Sequence, residues 1–583
     1  APGAAIPHNQ QRRLRLWRKS QAGKRAIIIA IVVALVVAAG GTLANTVFNK
    51  PPKAPPPTVT TVHFAHTGEV DLERLPSLTS GAPPAQSPLA EQAHAAANGA
   101  AADHVAALPS LPSTMAANLG SLGSADVQTK FGLGQGAVAL PSPMDTTVAA
   151  GNNFVIELVD GVAKIYGYNG EQDSPAFALA TFFGPIAQGG AVLGQPRALY
   201  DTSAGRWIIA MSEVTIGGSG VTGSAFDIAL SDSDQPFGVW HLYQISTQEG
   251  NGAACTWADS PQVGSNITAY YVTGNSFSCG GNPVYRGVLL WALPKKALMS
   301  GSLTSFWRWA NTFHNAHHQP IFTLTPAVES GPDTVEWLVS NDAGYVENGA
   351  TSRTMILWAL PNTDLLDSGG RPAPVGVQIA LSLPYATPPS AIQAGTSVPL
   401  NTGDARITSA VYTGGHLYAA FTTAVNWQGD AATRSGVYWL DVVPSITLPA
   451  GTATTGTPAA PQQTIGATLK QVSVLGESAA YLYEPALVAD ARGDIGIVAG
   501  VASPSASPSL IWARRHAGDP QGTLGAGANT AVLAGGKSAY PGQHWGDYAG
   551  AAFTPDGATV WVAASYMDSE PSHWQTLVWQ LQN

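Results

Sequence analysis

The sequence predicts an all-β fold: a seven-bladed β-propeller, preceded by an N-terminal transmembrane helix and a Pro/Ala-rich stalk. Three observations predict it. A strand–turn–strand unit recurs seven times after about residue 125, and a further apolar strand follows each unit in the same order. Only 11% of residues are charged, whereas Gly and Pro number 63 and 43, a balance that suits short strands and turns over long solvated helices.

The elements follow in chain order. Residues 1–25 form a basic tail in which Arg12, Arg13, Arg15, Arg18, Lys19, Lys24 and Arg25 have no acid among them. The apolar run Ala26 to Ala39 follows and continues to Phe48, so residues 26–48 are long enough to cross a hydrocarbon core of roughly 30 Å as a helix. Positive charge ahead of the run places the N-terminus in the cytoplasm and the bulk of the chain outside it. A cleaved signal peptide is the alternative, with Thr42-Leu43-Ala44 as the cleavage region. The long basic region favours a retained single-pass anchor in the cell membrane; both readings export the remainder. Residues 49–124 read as a stalk, since Pro51, Pro52, Pro55, Pro56 and Pro57 favour extended polyproline geometry. The Ala-rich stretch Leu89 to Leu108 has little apolar surface to bury, and the segment is expected to be a mobile spacer.

Residues 125–583 carry the repeats. The hairpin units start at Asp145 (DTTVAAGNNFVIEL), Gln195 (QPRALYDTSAGRWIIAM), Asp259 (DSPQVGSNITAYYVTG) and Thr325 (TPAVESGPDTVEWLVS). They return at Asp404, Glu484 and Asp547. Third strands follow at Lys164, Phe226, Val288, Met355, Val437, Leu510 and Leu577. Trp291, Trp358, Trp439, Trp512 and Trp579 take matching places in five of them and read as core between blades. The chain runs out after the third strand of the last unit, so residues Val127 to Leu140 are expected to supply its outer strand and close the ring.

A net charge of −10, with no basic patch beyond the N-terminus, argues against a nucleic-acid partner. Cys255 and Cys279 are the only cysteines, and their segments read as facing strands. A disulfide fits an exported chain, and two buried thiols are the alternative.

The strings QPRALYDTSAGRWIIA, DSPQVGSNITAYYVTGN and HWGDYAGAAFTPDG resemble an uncharacterised bacterial family of exported β-propellers of sialidase/Asp-box-like appearance. The resemblance covers roughly residues 140–583. It implies Asp-box turns between third and fourth strands, where SDSDQPFGVW from Ser231 and DPQGTL from Asp519 stand as degenerate versions. It also implies a sialidase-like active site with three arginines, a Tyr–Glu nucleophile and an Asp acid/base. The segment that carries the first arginine has no counterpart. Arg353, Arg492 and Arg514 are scattered, and only Arg197 and Arg406 lie near starts of innermost strands.

In a propeller the innermost strands begin around one mouth of the central channel. That convergence makes Asp145, Arg197, Asp259, Asp404, Arg406, Glu484 and Asp547 the candidate ligand-binding residues, with His544 and Trp545 on an entering connection. Trp257, Tyr483, His314, His317 and His318 enter the same way. Three chemistries fit this mouth: carboxylates that cap turns, carboxylates that hold Ca²⁺, or an acid/base pair acting on a glycoside. His314, His317 and His318 form a weak candidate metal cluster, set against ordinary loop hydrogen bonding. No cofactor other than Ca²⁺ is suggested. The function expected is a protein- or glycan-interaction module held at the membrane, or an accessory subunit of a membrane assembly. The alternative is a sialidase-like glycoside hydrolase using carboxylates at the channel mouth.

Overall fold

The computed structural model describes residues 57–78, 108–114, 127–134, 145–168, 173–218, 220–315, 318–346, 349–447, 464–525, 530–569 and 574–582. The basic tail and the span 26–48 lie outside them. Among the described residues no helix is long and apolar enough to cross a membrane.

The described chain is all-β and built from antiparallel meanders of four strands. The first runs through Thr146–Ala150, Phe154–Val159, Val162–Gly167 and Phe177–Ala178, in that order across the sheet. The last runs through Gly550–Phe553, Thr559–Met567 and Trp574–Gln582 and is completed by Val127–Gly134, which pairs antiparallel to the final strand. The expected closure by residues from Val127 onward is therefore present, while residues 135–140 lie outside the described set.

The first strands of the meanders neighbour one another in cyclic order. Thr146–Ala150 touches Val192–Asp201, which touches Thr256–Ser265, and so on to Gly550–Phe553, which returns to Thr146–Ala150. Two glycines permit this approach. A Cβ at Gly550 would sit 2.4 Å from the Val148 nitrogen, and one at Gly264 would sit 2.5 Å from the Ala327 oxygen. The central strands of each meander are buried on both faces, as stacked sheets require. The five tryptophans of the third strands are all buried among aliphatic side chains of adjoining sheets. In one place the first strand leaves its own sheet. Thr325–Pro326 pairs within its meander, but Val328–Glu329 pairs in parallel with the first strands on either side, fusing two meanders into an eleven-stranded sheet.

Part of the segment read as a stalk belongs to the sheets. Thr58–Val62 pairs antiparallel with Phe306–Ala310, and His66–Asp71 pairs with Val239–Ser246, each on the outer edge of a meander. Phe64 between them packs its ring, tilted, against Tyr243 and Phe306 at centroid distances of 4.8 and 4.7 Å. Farther along, Ser110–Leu111 pairs with Asn426 and Trp427. The physical reason is edge protection: an outer strand offers unpaired N–H and C=O groups that an extended, Thr/Val-rich segment satisfies. Composition pointed to a spacer because Pro and Ala dominate the flanks and mask the short β-branched run TVTTV.

Cys255 and Cys279 form the disulfide. They flank the hairpin in which Thr256 pairs with Ser278, so antiparallel register itself brings the two thiols together.

Candidate functional site

Three first strands carry the same local device. Gln195, Ser260 and Glu484 have φ of 56°, 57° and 52°, and each stands immediately before a proline. At each, the ladder to the second strand skips: between Ala210 and Ser212, between Asp259 and Gln262, and between Tyr483 and Ala486. These are β-bulges, which bend a strand and re-aim its side chains. A left-handed conformation ahead of proline costs on the order of 1–3 kcal/mol per residue. Neighbouring meanders hold the strained residues in place. The Ser260 N–H donates to Gln195 Oε1 at 2.9 Å, and the Glu484 N–H donates to Thr422 Oγ1 at 3.2 Å.

All three bulges face one small cavity of about 30 Å³. Its wall includes Arg197, Asp404, Arg406, Glu484, Asp547 and Tyr548, brought together from sequence separations of up to 351 residues. Asp145 and Asp259 are buried close to it: Asp145 Oδ1 accepts the Asp547 N–H at 2.9 Å, and Asp259 Oδ1 accepts Ser212 Oγ at 3.5 Å. Seven of the candidate residues thus converge.

The charges in the wall are arranged in pairs. The Arg406 Nε donates to both oxygens of Asp404 at 2.8 Å, and its Nη2 donates to Oδ2 as well. Arg197 lies over the Tyr548 ring at 3.4 Å and donates its Nε to the Pro261 carbonyl at 3.2 Å. The Tyr548 hydroxyl donates to the Pro196 carbonyl at 2.7 Å. Burial, then the nearby Asp547, pushes the Asp145 carboxyl well above the usual carboxylate range. Burial, then Asp547 and Asp145, does the same to Glu484. Burial lowers the Arg197 guanidinium against the opposing pull of Tyr548, Asp145 and Asp547. The result is a site in which the buried carboxyls of Asp145 and Glu484 hold their protons more tightly than usual beside two guanidinium groups.

The other candidates lie elsewhere. Trp545 is 1% exposed and packs edge-on against Tyr540 at 5.1 Å in a core cluster with Trp574, where its large ring is better buried than presented. His544 beside it is not part of the cavity wall. Trp257 and Tyr483 are also core residues. His314 is partly buried, which lowers its imidazole, and His318 adopts φ 59°. His317 lies outside the described residues. Among the described residues no three metal-ligating side chains converge closely enough to hold an ion. Sequence reading missed Gln195, Ser260 and Tyr548 as wall residues. The dipeptides Gln-Pro, Ser-Pro and Glu-Pro at matching places in three repeats were the available signal.

The SDSDQPFGVW turn from Ser231 joins a third to a fourth strand, with Trp240 fully buried and its Nε1 donating to the Pro236 carbonyl at 2.9 Å.

No family model and no curated protein matches the chain. Among solved structures it is similar to a Dyadobacter fermentans protein of unknown function, at 10% identity, over 68% of this chain and 96% of that one, with a TM-score of 0.31. The extracellular domains of Drosophila Semaphorin 1b match at 10% identity over 78% and 87%, with a TM-score of 0.33. The phage phi92 endosialidase matches at 8% identity over 80% and 71%, with a TM-score of 0.35.

Proposed function

We propose that the chain is a membrane-anchored, extracytoplasmic seven-bladed β-propeller that works as a protein- or glycan-interaction module. The seven meanders would be its blades, with the family resemblance of residues 140–583 read the same way. The observation that carries the module reading is the pairing within the mouth. Arg406 is held by Asp404, Arg197 by Tyr548 and Pro261, and the Asp547 backbone by Asp145, an arrangement suited to holding a fixed surface. An acid/base pair on a glycoside needs two carboxyls free to flank a sugar, whereas Asp404 is engaged by Arg406 and Asp145 by the Asp547 backbone. The apolar run at residues 26–48, read as an anchor, supports a role at the membrane, as a module or as an accessory subunit.

Mild-detergent extraction from native membranes, followed by size analysis and mass spectrometry, tests the reading. A stoichiometric partner supports it. Robust glycoside hydrolysis that depends on Asp259 or Glu484 overturns it in favour of the sialidase-like alternative, which the elevated Glu484 carboxyl favours as a general acid.

A further inference from the structure

Two groups in the cavity wall have hydrogen-bonding capacity that the described residues leave unused. Arg197 uses Nε and the face of its guanidinium, and its two terminal nitrogens donate to no described residue. Glu484 is 7% exposed, and its Oε1 has no hydrogen-bond partner. Both side chains line the same cavity. A buried polar atom without a partner is rare, and Glu484 Oε1 calls for a physical account. Strain points to the same place, because the three left-handed residues ahead of proline converge there. Such strain persists only where the surroundings enforce it, and it concentrates at ligand sites.

We propose that this cavity receives the neutral amide group of a ligand, its carbonyl oxygen accepting from the terminal nitrogens of Arg197 and its N–H donating toward the carboxyl groups of Glu484 and Asp547. The inference deepens the module reading and rests on it. Charge selects this chemistry. The facing groups are Arg197 from one strand, Asp404 and Arg406 ahead of another, Glu484 from a third and Asp547 with Tyr548 ahead of a fourth. Asp145 and Asp259 are buried close by. Arg406 is neutralised by Asp404, and Arg197 is opposed by the Asp145 and Asp547 pair. A carboxylate would bring a further negative charge to a wall that already carries more carboxyls than guanidinium groups, and an ammonium would meet Arg197; both are costly out of water. An amide offers an acceptor and a donor with no net charge. Size agrees, since about 30 Å³ holds roughly two waters or one such group, leaving the rest of the ligand outside.

The test uses the intact exported chain and ligand-observed NMR at neutral pH with acetamide, acetate and methylammonium as probes. Acetamide is expected to show binding, and the two charged probes at least about tenfold less, as one mismatched buried charge requires. Arg197→Lys keeps the charge but removes the fork and is expected to abolish the acetamide signal. An unchanged unfolding midpoint for Arg197→Lys separates loss of the site from loss of the fold. N-acetylglucosamine and a glutamine-containing peptide, compared at one concentration, tell a sugar-borne amide from a peptide-borne one. Equal or stronger binding of acetate, or an acetamide signal unchanged in Arg197→Lys, overturns the proposal. Partner capture from membranes is scored separately, so the module reading can fail while the amide site stands, and the reverse.

Discussion

Lys295 offers a quantitative test of how adjacent meanders are held together. It opens the short helix Lys295–Met299 after one third strand, and its Nζ lies 2.6 Å from Asp201 Oδ2 at the end of the first strand of the neighbouring meander. Both side chains are 4% exposed. Ser203 Oγ accepts from the same amine at 3.1 Å, and the Tyr270 hydroxyl donates to Asp201 at 2.8 Å. At 2.6 Å and an effective dielectric near 20 the attraction is about 6 kcal/mol, which removing two ions from water largely cancels. The pair's net contribution is therefore small, but breaking it is not. Lys295→Met strands a buried carboxylate and is expected to cost about 3–5 kcal/mol. Lys295→Met with Asp201→Asn removes both charges and keeps the turn bonds from Ser203 and Ala204, so most of that loss should return. Thermal and guanidinium unfolding at pH 7 measure both variants. Burial raises the Asp201 carboxyl, but Lys295 overcomes it and leaves the group below its usual value. Its stabilisation is then complete above the unfolded carboxylate pKa and is lost as pH falls through the depressed one. A single variant that loses less than about 1 kcal/mol, or a double variant no better than the single, refutes the argument.

Glu484 behaves in the opposite sense: its elevated carboxyl penalises the fold once the unfolded group ionises. Stability should fall as pH rises from the unfolded carboxylate value toward the folded one, and Glu484→Gln should flatten that slope in a series of unfolding midpoints. Replacing Cys255 and Cys279 with Ala removes a link across 24 residues and should cost about 2–4 kcal/mol by denaturant unfolding. Phe64→Ala removes the ring wedged against Tyr243 and Phe306. It should cost about 1–3 kcal/mol and make residues 57–78 the first site of limited proteolysis. Unchanged cleavage order would show that strand pairing alone secures that segment.

The sequence by itself determined the local units. Alternating apolar runs separated by Gly, Asn and Asp fix hairpins because side-chain period and turn chemistry act within about a dozen residues. Register did the same for Cys255 and Cys279, and the deficit of one strand after Gln582 pointed to residues from Val127. The convergence of Asp145, Arg197, Asp404, Arg406, Glu484 and Asp547 was also legible, because strands that begin at equivalent places in a repeat begin at one end of the sheets. Tertiary structure decided what each group does there. Bulges at Gln195, Ser260 and Glu484 depend on hydrogen bonds from other meanders, and no local rule predicts a left-handed residue before proline. Trp545 went to the core because burying its indole outweighs its nearness in sequence to Asp547. Thr58–Val62 and His66–Asp71 became strands because outer edges more than 160 residues away in sequence lacked partners, a demand that composition cannot express.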